Sequence, residues 1–358
     1  MKKKLLKVLC VALCALIVLC SCTKSKESGG ILKLKDGDVR VENVLKIGDH
    51  NISYDLYRYW FLTYKANMEA QAPKIDWTKE SNIKDLKKTV LEQLEMDCAV
   101  LDLAKKYGYS LSEEDKEEIR EIMKETFDGA GSAQDYEALL SENFLTNDIY
   151  KEILSANVIY SSMLKNLAGT DKEKNKVTFT SEDALKAVNE DFYRLVDIYY
   201  VVETTDEEGN ELSEDKINAN KAAAEKKIKE AYNKIKAGKD FLSLMKEIKS
   251  EEEYEKSLMG YYEPKELEGT FGFDISALKV GETSEPVYVN NSYIILHRLE
   301  NDVEYLKKTG VSHDGYNLVS IEEYYSEKLV GEMLEAIAED YKVTELEHYD
   351  DITPQTLV

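Results

Sequence analysis

The sequence predicts an α+β protein of two domains, a helical one first and a small sheet-and-helix one second, closed by a further helix. Three observations carry this. Between Asp85 and Leu167 apolar residues recur at spacings of three and four, and each run has a readable cap. Between Leu195 and Glu300 two short apolar runs with strand character flank a long helical segment. From about Ile321 to Asp340 the positions Tyr325, Leu329, Met333 and Ile337 again keep helical spacing. The length of 358 residues exceeds one ordinary domain, and 43% hydrophobic with 33% charged residues still supports packed cores. A net charge of −23 argues against nucleic acid as a partner, because phosphate binding needs clustered Lys and Arg.

Residues 1–22 read as a targeting segment. Lys2, Lys3 and Lys4 form a basic start, Leu5 to Val18 an apolar run too short to span a bilayer comfortably, and Leu19-Cys20-Ser21-Cys22 closes it. The closing residues resemble a bacterial lipoprotein lipobox, with Leu19 three positions before Cys22 and small Ser21 just before the cut. Cys20 fits less well, since Leu19 would then sit where a small residue is needed. The resemblance implies lipidation at Cys22, removal of the leader, and a chain held by lipid on the extracytoplasmic face of the cell membrane; an uncleaved anchor gives the same side. Cys10, Cys14 and Cys20 would leave with the leader, so Cys22 and Cys98 remain. With Cys22 acylated as the resemblance implies, the single leftover thiol of Cys98 cannot make an internal disulfide; no metal-ligand spacing exists, and no cofactor is expected. Cys98 lies on the stripe Leu91, Leu94, Cys98, Leu101 and reads as a buried core thiol.

Residues 23–39 read as a tether. Val41 to Ile47 alternates like a strand, Gly48 to Asn51 turns, and Ser53 caps a helix from Tyr54, with His50 a turn residue. Four helices follow. The first carries Val90, Leu91, Leu94 and Cys98 and stops at Gly108; Ser112 and Ser132 open the next two, and Thr146 caps the fourth, with its stripe Ile149, Ile153, Ala156, Tyr160, Met163. The helical domain is thus 40–170, and Thr170 to Lys176 is a charged linker. The second domain, 177–300, opens on a helix capped by Thr180, continues into the strand from Leu195, and crosses an acidic loop from Thr204 to Asp215. Residues 301–358 hold the last helix and a tail, whose residues from Val343 are expected to run extended over the surface.

Two segments of the second domain identify a resemblance. Lys236-Ala237-Gly238-Lys239-Asp240-Phe241 and Leu278-Lys279-Val280-Gly281-Glu282-Thr283-Ser284-Glu285-Pro286-Val287 resemble the K-A-G-x-D-F and L-K-x-G-E-x-S-x-P-V segments of the parvulin-type peptidyl-prolyl isomerases. In the first domain, Val90-Leu91-Glu92-Gln93-Leu94 and Ala104 to Asp115 resemble the N-terminal chaperone domain of the SurA and PrsA foldases. The resemblance covers roughly residues 40 to 300. It implies an exported foldase whose partners are unfolded or nascent exported polypeptides, and whose last helix folds back onto the first domain. The acidic loop would repel phosphate, so phosphoserine-proline substrates are not expected.

Parvulins place two histidines on adjacent central strands behind a pocket in which a Met and a Phe hold the proline ring. Ile294 stands at the second histidine position, and the first maps to Ile198, Tyr199 or Tyr200. His297, three residues past Ile294, should face the other side of the sheet. The Met and Phe map to Leu267 and Phe271, so Leu267, Phe271 and Ile294 are the expected substrate-binding residues. The catalytic residues are left open, with Tyr199 and Tyr200 as candidates. Three readings follow: a foldase that binds unfolded segments with weak or absent isomerase activity, a working isomerase built on those tyrosines, and a ligand-binding surface lipoprotein unrelated to folding.

Overall fold

A computed structural model describes residues 30–357 except 73, 207, 268 and 313–316. The lipidation residue Cys22 and the leader lie outside the described residues. The chain divides into two compact units, one made of residues up to Thr178 together with Ser326–Val358, the other of Phe179–Tyr325.

The first unit begins earlier than the tether reading expects. Strands β1 (Gly30–Leu34) and β2 (Gly37–Val41) form an antiparallel hairpin, and Leu32 and Val41 are in the core, so residues 30–39 are folded rather than a spacer. The expected Val41–Ile47 strand breaks at Glu42, whose carbonyl accepts from the Tyr54 N–H. Strands β3 (Asn43–Ile47) and β4 (His50–Ser53) then pair across the Gly48 turn. Ser53 caps α1 (Tyr54–Gln71), and α2 (Glu80–Tyr107) ends on the left-handed Gly108. Helices α3 (Glu113–Ala130), α4 (Ala133–Glu142) and α5 (Asn147–Asn166) start at Ser112, Ser132 and Thr146, the first with a full capping box. Tyr57 and Phe61 of α1, Leu86, Val90, Leu94 and Cys98 of α2, and Ile149 of α5 make the core with Val44, Leu45 and Ile47. Burial pushes the Cys98 thiol up to about 12, which leaves it an inert space-filler. The Thr170–Lys176 linker is a closed turn. Asn175 donates to the Asn166 and Ala168 carbonyls, beside the short parallel pair β5 (Ala168–Gly169) and β6 (Val177–Thr178).

The C-terminal segment completes this unit instead of running over its surface. Val343–Glu345 adds a third strand beside β3, pairing Val343 with Ile47 and Glu345 with Leu45. Tyr349, Ile352 and Leu357 then enter the core, Tyr349 packing edge-on against Tyr57 with ring centroids 5.7 Å apart. Tyr341 lies across Gly48, where a Cβ would meet its ring at 2.9 Å at a backbone φ of +54°, so glycine is required there twice over. Its hydroxyl donates to Asp102, which also meets His50 at 3.0 Å; His50, which opens β4 rather than lying in the turn, thus has a partner far along the chain. The helix Ile321–Glu339 spans the division between the units, and its buried face differs from the one expected. Val330 and Leu334 are fully buried, whereas Leu329, Met333 and Ile337 are half-covered. The stripe read from the sequence is therefore the margin of the packed face.

In the second unit a Thr180 capping box opens α6 (Ser181–Asp191), followed by β7 (Tyr193–Val201) and the long α7 (Glu214–Lys236). Gly238 turns the chain with positive φ, and Asp240 caps α8 (Phe241–Ile248) by accepting from the Ser243 N–H; α9 is Glu251–Ser257. The sheet runs β8 (Tyr261–Tyr262), β7, β10 (Ser292–Leu299), β9 (Val287–Val289), all antiparallel. Val196, Ile198 and Ile295 pack on Ile228, Phe241 and Met245 of the helices. A short helix, α10 (Val303–Thr309), joins α6 in a separate small core around Val188, Phe192 and Leu306.

Candidate functional site

The sheet of the second unit has one face sealed by α7 and α8 and one that is only partly covered. Side chains alternate along a strand, so the register of the central pair decides what the second face carries. Ile294 stands opposite Tyr199, Leu296 opposite Asp197 and Arg298 opposite Leu195. Leu195 and Leu296 are buried there beneath Ile275 and Leu278, and Leu267, Phe271, Phe273 and Ile294 pack around them. The three expected substrate-binding residues, Leu267, Phe271 and Ile294, therefore meet in one apolar cluster.

The two tyrosine candidates part company. Tyr199 is on the open face, 41% exposed and directly across from Ile294. Tyr200 points the other way, into the helix-covered core, and burial raises its hydroxyl above the ordinary value. Tyr200 is thus removed from the open face that holds the apolar cluster. His297 likewise faces the helices, stacked on Phe241 at 4.7 Å with Nδ1 2.8 Å from the Thr283 hydroxyl. Burial lowers its pKa below the usual imidazole value.

The long motif has a structural explanation. Gly281, at φ +82°, lets its N–H reach the Arg298 carbonyl at 2.7 Å, and Arg298 N–H returns to Glu282. Ser284 then exchanges bonds with Leu296 through both its N–H and its hydroxyl. The segment is laced to β10 and delivers Pro286 and Val287 to the sheet edge. There Phe273, Leu278, Pro286 and Val287 floor a shallow cleft of about 380 Å³ beside the apolar cluster, with Asp274 and Glu285 at its rim.

A polar group that sequence reasoning missed lies on the open face. Lys249 reaches the Asp197 carboxylate, meets the Ser257 hydroxyl at 2.7 Å, and holds its ammonium 5.1 Å from the centre of the Tyr199 ring. The Lys249 side chain is only 9% exposed, and its charge is balanced by Asp197. A charge at Asp197 inside the otherwise apolar run Leu195–Val202 was the available signal; nothing in the sequence marks Lys249 as its partner. Chemically the face offers an apolar shelf, a phenol and a neutralised ion pair. It can hold a ring or side chain and hydrogen-bond a peptide, which is what amide rotation requires, since no bond to the enzyme need form. Among the described residues no cluster suited to a metal ion occurs.

Two family models match the chain, the SurA-like N-terminal domain over residues 1–164 and the PPIC-type PPIASE domain over residues 205–300. By this pairing the chain carries a SurA-like N-terminal domain followed by a parvulin-type, PPIC-type PPIASE domain. The second match includes Leu267, Phe271 and Ile294 but begins after β7, the strand that bears Tyr199. No curated protein matches the chain. Solved structures similar to it include PrsA from Bacillus anthracis, with 16% identity, 70% of this chain and 96% of that one covered, and a TM-score of 0.29. PrsA from Bacillus subtilis gives 18%, 90% and 98%, and 0.23. The foldase protein PrsA from Streptococcus pneumoniae gives 18%, 75% and 90%, and 0.24. At such scores the superpositions carry no weight, and the assignment rests on the two domain models.

Proposed function

We propose that this protein is an exported foldase held by a lipid on Cys22 at the extracytoplasmic face of the cell membrane, where it binds unfolded exported polypeptides with weak or absent prolyl isomerase activity. The observation that carries the reading is the Ile294–Tyr199 pair. It occupies the site face where the resemblance calls for two histidines, while the shelf of Leu267 and Phe271 is retained. Loss of an ordering histidine network weakens catalysis; retention of the apolar shelf preserves binding. A protease-coupled proline-peptide assay run beside an aggregation assay on one preparation tests it. Phe271→Ala is expected to reduce the suppression of aggregation several-fold with little change in melting temperature. Absence of both activities in the parent chain would move the weight to a ligand-binding lipoprotein.

The position of Tyr199 under the Lys249 ammonium supports a second reading, a working isomerase with this phenol as its polar group. Robust turnover that falls about tenfold or more in Tyr199→Phe would favour it over the first.

The lipid is tested separately. No helix among the described residues is long and apolar enough to cross a membrane. Cys22→Ala is expected to give either soluble protein or an uncleaved precursor in fractionated cells. Processed, unmodified Cys22→Ala that stays with the membrane would contradict lipidation.

A further inference from the structure

A cleft in each unit shares its chemistry with the other. In the second unit Phe273, Leu278, Pro286 and Val287 form an apolar floor of about 380 Å³, rimmed by Asp274 and Glu285. In the first unit a shallow cleft of about 440 Å³ between α3 and α4 is lined by Gly129, Ala130, Ala138 and half-buried Leu139, with Thr126, Asp135 and Glu142 as its polar groups. Neither cleft has a lysine, arginine or histidine in its lining. The rim carboxylates are ionised where their state is resolved: the Ser276 hydroxyl and N–H hold Asp274 below the ordinary carboxylate range. Helix α3 adds to the field of the first cleft, since Glu113, Glu114, Glu117, Glu118, Glu121 and Glu125 outnumber its three basic residues. The whole chain, at −23, has the same sign.

An apolar floor under carboxylates discriminates between client segments. A purely apolar segment gains burial, an acidic one meets like charge on both rims, and a segment that pairs an aliphatic or proline residue with a flanking lysine or arginine gains both burial and charge complementarity. We infer that the two clefts select cationic-apolar polypeptide segments, in which a basic residue lies within one or two positions of an aliphatic residue or proline. The inference rests on the polypeptide-binding reading above and names its client class.

The test uses the full chain and two short fluorescein-labelled peptides, one with the repeat Lys-Leu-Pro-Leu and one with Glu-Leu-Pro-Leu, titrated by fluorescence anisotropy at low and high salt. The lysine peptide is expected to bind at least about tenfold more tightly at low salt, with the difference shrinking as salt screens the rims. Asp274→Asn with Glu285→Gln, and separately Asp135→Asn with Glu142→Gln, should each weaken the lysine peptide about threefold to fivefold and leave the glutamate peptide unchanged or bound more tightly. These substitutions keep size and hydrogen-bonding capacity, and unchanged melting curves would show that the clefts persist. Equal affinity for both peptides, or a preference untouched in both double variants, would overturn the inference while leaving polypeptide binding in place. Failure of both peptides to bind, together with no suppression of aggregation, would overturn the binding reading itself.

Discussion

A chain ending at Glu339 is expected to lose the cooperative unfolding of the first unit. The truncation removes the strand Val343–Glu345 and three side chains from the core, Tyr349, Ile352 and Leu357, each no more than 6% exposed. Full burial of such side chains contributes about 1.5–3 kcal/mol each, so together they approach the whole stability of an ordinary domain, about 5–15 kcal/mol, even after allowance for a compact unfolded state. Polar anchors go as well. Lys87 Nζ donates to the Tyr349 carbonyl at 2.8 Å, Gln355 donates to the Trp77 carbonyl, and Tyr341 no longer joins Asp102. Strand β3 would be left with one free edge, which invites association with other chains. The measurement is thermal unfolding followed by hydrogen exchange resolved to each unit, with the second unit as internal control. A graded version is Ile352→Ala, expected to cost about 2–5 kcal/mol. Melting of the first unit at its parental temperature in the truncated chain would show that the C-terminal segment is not needed.

The sequence made the elements legible wherever a local signal exists, and failed where a long-range contact decides. Ser53, Ser112, Ser132, Thr146 and Thr180 announce their helices because capping is a matter of three or four residues, and all five accept the expected backbone N–H. The C-terminal tail was misread for the opposite reason. Tyr349, Ile352 and Leu357 keep no helical or strand period, because a chain that meanders across an existing core buries whichever residue happens to face it. The same holds for residues 30–39, whose Gly and Lys content resembles a tether until Leu32 finds its pocket. At the site, alternation correctly separated His297 from Ile294, since strand period is local. It left Tyr199 and Tyr200 unresolved, because the choice between faces depends on pairing with a strand almost a hundred residues away. Asp197 interrupts the apolar run Leu195–Val202, a signal the sequence reading left unused, and its partner Lys249 becomes apparent only once α8 is folded against the sheet.

Asp97 is expected to make the first unit less stable at alkaline than at acidic pH, against the usual trend for a carboxylate. It lies on α2, where Trp60 Nε1 donates to one carboxylate oxygen at 2.9 Å and Gln93 to the other at 2.8 Å, Gln93 in turn accepting from the Tyr64 hydroxyl. Burial pushes its pKa from 3.8 up to about 7; the two hydrogen bonds oppose the rise and the charge of Glu152 on α5 adds to it. The other titratable groups that feel it, Tyr59, Tyr64 and Cys98, are all shifted toward their neutral forms, and no cation among the described residues is a cause of its shift. With the folded pKa above the unfolded one, the folded state binds more protons between about pH 4 and pH 7. Stability therefore falls as pH rises through that window and is level above it, by about 2–4 kcal/mol in all. Asp97→Asn removes the ionisation and leaves a similar shape. Its amide oxygen can accept from Trp60, and its NH2 group can donate to Gln93 once that side-chain amide turns over, with the Tyr64 hydroxyl then accepting. The variant should lose less stability than the parent chain between pH 5 and pH 8, the remaining slope coming from Glu152, whose carboxyl burial also raises, and should exceed the parent chain at pH 8. A parent chain whose first unit is as stable at pH 8 as at pH 5, or an Asp97→Asn variant that retains the parental pH slope, would place the titration elsewhere.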